Sequence, residues 1–308
     1  EAERQAELER QEAERQEAER QEAERQEAER QAELERQEAL IQIKNLEDVD
    51  EKYKSDLISA VARWNSIAKI NDENHKLTIV VKFLELEEGV VGQAMVNNFK
   101  NMETKEIISS YNFYSNYNYK PKQVLPIEGE ITLNTKYMDS LKNHIYGDGN
   151  NALYSTLLHE MGHLLGIGSL WINMGMIQYY QNEGVNNAWY QISDSFAIKE
   201  YANYFNLKLD KIPVEDNGSW GTKYVHPEEG YHDEISTNTR TIQGVFYPGL
   251  DKELMTGFLD LPNTNFKGNL PLSKITIGFL ADLGYDVDFE KADEYNIQEQ
   301  NIKLEIIE

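Results

Sequence analysis

The sequence predicts an α+β protein: a mixed sheet carrying a long buried helix, with a charged segment ahead of it. Three observations predict it. Residues 1–38 repeat the units EAERQ, AELERQ and QEAER and contain neither Gly nor Pro. From about residue 46, stretches with strand-like and helix-like spacing of apolar residues follow one another. Ala152–Leu165 is apolar at helical spacing and is followed by Gly166 and Gly168, which read as its stop.

The first segment holds 15 glutamates and 7 arginines within residues 1–40, whereas every lysine lies beyond it. Its residues are good helix formers, and Glu12 and Arg15 stand one turn apart, as do the equivalents in later repeats. A five-residue step, however, carries each alanine about 140° around the helix from the last, so no coiled-coil seam forms. The segment is expected to be a solvated helix or a disordered spacer. Residues 1–45 are assigned to it, 46–290 to a body and 291–308 to a polar C-terminal extension.

In the body, Tyr53, Leu57, Ile58, Val61, Trp64, Ile67 and Ala68 recur at steps of three and four, which predicts an amphipathic helix. Leu77–Leu86 and Val90–Asn97 predict two strands joined at Glu88-Gly89. Residues 110–120 alternate aromatic and polar side chains and suit a half-exposed strand or loop. Ile131–Thr135 predicts a further strand entered through a break at Gly129. The helix at 152–165 takes Asn150 or Asn151 as its N-cap. Ser193–Phe205 and Leu272–Leu283 predict two more helices, the last closed by Gly284. Between them, 206–256 is rich in Gly, Pro, Asp and Asn and reads as long loops.

Composition excludes several functions. There is no cysteine, so neither a disulfide framework nor a thiolate metal site exists. The formal net charge of -24 disfavours nucleic acid, whose phosphates it would repel. No apolar run of 18 residues occurs, so no transmembrane segment is expected. The first residues are acidic and show no secretory signal.

Chemistry enters with HEMGH, residues 159–163. Residues four apart on a helix project about 40° apart, so His159 and His163 face the same way, as two ligands of one Zn²⁺ must. Glu160 is placed to accept a proton from water activated by that metal. A catalytic zinc site needs a third protein ligand, and the compact pattern H-E-x-x-H-x-x-G-x-x-H would place a histidine where Ser169 stands. The downstream histidines are His226 and His232, and Glu215, Asp216, Glu228, Glu229, Asp233 and Glu234 are carboxylate alternatives. His75 and His144 read as surface residues. A tyrosine among the many present would suit an oxyanion, but no single one stands out.

HEMGHLLGIGSLW (159–171), a delayed third histidine and ELMTG (253–257) together resemble the leishmanolysin-like zinc metallopeptidases of the metzincin clan, here with an added N-terminal Glu/Arg/Gln repeat. ARWNSI (62–67), EITLNTKYMDSL (130–141), PVEDNG (213–218) and LSKITIGFLADLGYDVD (272–288) extend the resemblance in the same order. It implies a metzincin-like body with a mixed twisted sheet, an active-site helix and an irregular C-terminal subdomain. It implies one catalytic zinc on His159, His163 and His226, with His232 the alternative third ligand. Glu160 would be the general acid/base and Met255 the methionine of a turn beneath the metal. The implied activity is hydrolysis of a protein or peptide substrate; the alternative is a catalytically inactive binding module of the same fold, and a monomer is expected in either case. A secreted or extracellular setting is implied too, although the lack of cysteine and of a signal argues against it.

Overall fold

The helix expected after residue 50 is α1, Glu51–Ile67, capped by Asp50, whose side chain accepts from Lys52 N. Tyr53, Leu57, Ala60, Trp64 and Ile67 form its buried stripe. This computed structural model describes residues 15–17, 20–22, 24–27, 39–72, 74–115, 123–180, 188–216, 218, 221–229, 240–242, 245–262 and 268–295.

Contacts divide the chain into Glu1–Ala39 and Leu40–Glu308. In the first unit residues 15–17, 20–22 and 24–27 are helical and exposed, with Glu17–Arg20 and Glu22–Arg25 pairs at 2.7 Å. The second unit begins earlier than the boundary at 46. Strand β1, Ile41–Ile43, pairs in parallel with β3, Leu77–Leu84, and Ile41 is buried. Three residues are too few to show alternation in a sequence, yet they add an outer strand.

The main sheet has the order β1-β3-β6-β4-β5. β6 (Val124–Asn134) runs parallel to β3, and β4 (Gly92–Asn101) antiparallel to β6. β5 (Ile107–Ser109) pairs with β4 only at Asn98–Lys100. The expected break at Gly129 is not there: Gly129 lies inside β6, where a Cβ would stand 2.7 Å from Leu164 Cδ2 and 2.9 Å from Met95 O. Glycine at this point lets a helix sit directly on the sheet.

That helix is α4, Ala152–Leu164, with Asn151 accepting from Tyr154 N at 2.9 Å. It packs on β4 and β6 and along α1. Trp64 Nε1 donates to Leu158 O at 2.9 Å, and Asn151 Nδ2 donates to the buried Asp56 at 2.8 Å, joining α1 to both ends of this contact. Ser110–Ser115 forms a short helix, α2, in place of the expected strand or loop. Phe113 decides this by turning inward onto Phe99, ring centroids 4.4 Å apart. Residues 116–122 lie outside the described residues. A further short helix, α3, spans Met138–Asn143.

The C-terminal part is irregular. β2 (Ala68–Lys69) pairs with β12 (Asp286–Val287), returning the chain end to the end of α1. β7 (Ile177–Tyr179), β8 (Ala188–Tyr190) and β9 (Ile212–Pro213) form a small sheet; β10 (Arg240–Ile242) and β11 (Val245–Tyr247) pair together. α5 (Phe196–Phe205) and α6 (Lys274–Leu283) pack together, with Gly284 in the left-handed region at φ 99° closing α6. Ser195 caps α5 by accepting from Ile198 N at 3.0 Å, and Asp282 on α6 adds to it by accepting from Phe196 N at 2.7 Å and Tyr190 OH at 2.9 Å.

The segment beyond 290 is not purely an extension. Asp293 pairs with Arg63 at 2.6 Å and Tyr295 packs against the core, while 296–308 lie outside the described residues. Among the described residues, no helix is long and apolar enough to cross a membrane.

Candidate metal centre

His159 and His163 point the same way from α4 because they stand one turn apart, and a third imidazole meets them there. His163 Nε2 lies 3.0 Å from His159 Nε2 and 2.9 Å from His226 Nε2, and the His159–His226 separation is 3.2 Å. Each Nδ1 faces a backbone carbonyl: Leu254 for His159 at 2.8 Å, Ile167 for His163 at 2.9 Å, and Thr222 for His226 at 2.8 Å. A carbonyl only accepts, so each ring carries its proton on Nδ1 and turns a bare Nε2 lone pair to the centre. Three acceptors facing one another at 3 Å repel unless a cation lies among them.

Burial depresses all three imidazoles, His163 to about 3 with His159 adding to the effect, so they are neutral near pH 7. Neutral imidazole nitrogens suit zinc. Zn–N distances of about 2.0–2.1 Å in a tetrahedron place ligand nitrogens about 3.3–3.4 Å apart, a few tenths beyond the edges found here. The three histidines are therefore a group close enough to hold a metal ion.

His226 reaches this point by backbone pairing. Glu215 N donates to His226 O at 3.0 Å, Tyr224 N to Glu215 O at 2.8 Å, and Glu228 N to Pro213 O at 2.8 Å. The PVE stretch thus acts as a short template for the histidine loop, which is why these distant residues matter to one site. Gly168, at φ 73°, lets the chain leaving α4 press against the same loop; a Cβ there would overlap the Val225 carbonyl. Ser169 donates its hydroxyl to His163 O at 2.7 Å, so it steadies the helix end.

Glu160 is buried on the same helix, and burial pushes its carboxyl up to about 8. A Cβ on Gly92, the first residue of β4, would stand 2.9 Å from Glu160 Oε1, so the carboxylate lies against the start of that strand. Met255 is fully buried against Gly162. Its turn is held by Glu253, which is buried and accepts from Met255 N and Ser273 Oγ at 2.7 Å each, and from Thr276 Oγ1. Burial raises that carboxyl while these donors oppose the rise.

Of the sequence-derived candidates, His159, His163 and His226 come together, with Glu160 and Met255 on either side of the helix motif. His232, Asp233 and Glu234 lie outside the described residues. Glu215, Asp216 and Glu228 form a group of their own, and Glu229 joins Asp251 and Asp260 instead. His75 is not a surface residue: it is 2% exposed, its Nε2 lies 2.9 Å from Pro126 O, and burial lowers it to about 4. His144 is half-exposed as expected, its Nδ1 facing Ser140 O. The roles of Ser169, Glu253 and Gly168 have no signature in the sequence, because each depends on a partner distant in the chain or around the helix end.

Comparison with protein-family models and with curated proteins finds no match to this chain.

Proposed function

We propose that this chain is a zinc-dependent metalloendopeptidase with a metzincin-like body resembling the leishmanolysin family. The carrying observation is the convergence of three bare imidazole nitrogens beside a buried glutamate on the same helix. Retention of Glu160 favours catalysis over a purely structural site, which has no use for a proton acceptor. His159, His163 and His226 would hold the zinc through Nε2. Zinc held there supplies Lewis acidity, polarising a peptide carbonyl and making water easier to deprotonate. Glu160 takes the proton from the attacking water and returns it to the leaving nitrogen.

The outer edge of β4 supports a peptide as substrate. From Gly92 to Val96 this strand is paired on one side with β6, and its other side carries no strand among the described residues. An extended peptide bonded to that edge would run past Glu160 and bring a scissile carbonyl to the histidines. The experiment is cleavage of casein by the purified chain. Activity should vanish with a chelator and return with one equivalent of zinc; cleavage indifferent to both would refute the reading.

A further inference from the structure

Glu229, Asp251 and Asp260 bring carboxylate oxygens within 4.8 Å of one another, away from the histidines. Hydrogen bonds hold the backbone around all three. Leu250 N donates to Glu228 O at 2.7 Å, Tyr295 OH to Asp251 O at 3.1 Å, and Tyr146 OH to Asp260 O at 2.7 Å. Gly249 runs so close that a Cβ there would stand 2.6 Å from Glu229 O. The carboxylates thus converge because three anchored segments converge.

Glu229 marks this group as more than a cluster of acids. It is 9% exposed, and its Oε2 is shielded from solvent with no hydrogen-bond partner. A buried carboxylate oxygen without a donor is costly, and the neighbouring Asp260, Asp251 and Glu215 make it costlier. Burial and these like charges push its carboxyl up to about 9. Lys252 Nζ lies 3.3 Å from Asp251 Oδ2. The ligands are hard oxygens, the kind Ca²⁺ takes at about 2.3–2.6 Å in flexible geometry. Mg²⁺ keeps several waters and demands closer octahedral geometry, which suits a buried group less well.

We propose that Glu229, Asp251 and Asp260 form a structural calcium site that clamps the segment after His226 to the turn carrying Met255. It rests on neither zinc binding nor peptidase activity.

The test uses the full chain, freed of calcium and supplied with one equivalent of zinc. Titration calorimetry with CaCl₂ should show one ion bound per chain. At a hundredfold excess over the measured Kd, Tm should rise by about 5–10 °C, and Mg²⁺ should give a smaller shift. Glu229→Gln, which keeps the shape of the neutral acid, and Asp260→Asn should each weaken calcium binding at least tenfold and remove the Tm shift. Absence of calcium uptake and of a Tm shift in the parent chain would overturn the proposal, as would unchanged calcium affinity in both variants. Since no readout is a peptidase assay, failure here leaves the proposed function standing, and failure of that function leaves a positive calcium result standing.

Discussion

Gly162 and Met255 are in direct apposition: a Cβ on Gly162 would stand 2.6 Å from Met255 Sδ and 2.9 Å from its Cε. Met255 is fully buried and held by Glu253, so it has little freedom to retreat. An exposed helical Gly→Ala change gains up to about 1 kcal/mol, whereas overpacking a tight site costs about 1–3 kcal/mol. Gly162→Ala should therefore destabilise the metal-free chain, by about 1–2 kcal/mol in urea unfolding. Pairing it with Met255→Ala should cost less than the sum of the two single changes, because the contact is removed.

His226 and His232 separate cleanly by metal content. His226→Ala should leave the chain with far less than one zinc after dialysis, because two nitrogens remain of the three that converge. His232→Ala should keep one zinc per chain. The reverse pattern, measured by elemental analysis, would reassign the third ligand.

His75 gives the fold a pH dependence. Its folded value of about 4 lies below the unfolded value of about 6.5, so protons bind the unfolded chain first. The stability it permits is complete above the unfolded value and is lost as pH falls towards the folded one, by about 2–3 kcal/mol over that window. Replacing it with Phe should flatten the stability profile between pH 6.5 and 4.5 relative to the parent. An unchanged slope would mean that His75 titrates normally.

How much of this was legible in the sequence depended on the range of the interaction. The helix at Ala152 could be read locally, its cap narrowed to Asn150 or Asn151, and so could the shared face of His159 and His163. His226 could be named as a candidate but not placed, because its position comes from pairing with Pro213–Glu215. Gly129 read as a break because the sequence does not show Leu164 sitting on the strand. The aromatic alternation at 110–120 read as a half-exposed strand or loop because Phe99, the partner that turns Phe113 inward, is distant in the chain. His75 read as exposed for the same reason.

The boundary of the charged segment makes another prediction. Removing residues 1–39 should leave Tm and activity unchanged, since the contact boundary falls after Ala39. Removing 1–45 deletes β1 and its three pairings with Leu77–Ile79, and exposes core that Ile41 covers. That longer deletion should lower Tm by several degrees. Equal Tm values for the two truncations would place the boundary at 46 after all.

The peptidase mechanism turns on the carboxylate of Glu160, which Gln matches in shape but not in basicity. The most direct measurement is zinc content and casein cleavage on the same preparation of Glu160→Gln. The account predicts one zinc per chain and cleavage reduced by at least about 100-fold. A variant that holds zinc and cleaves casein as fast as the parent would contradict it.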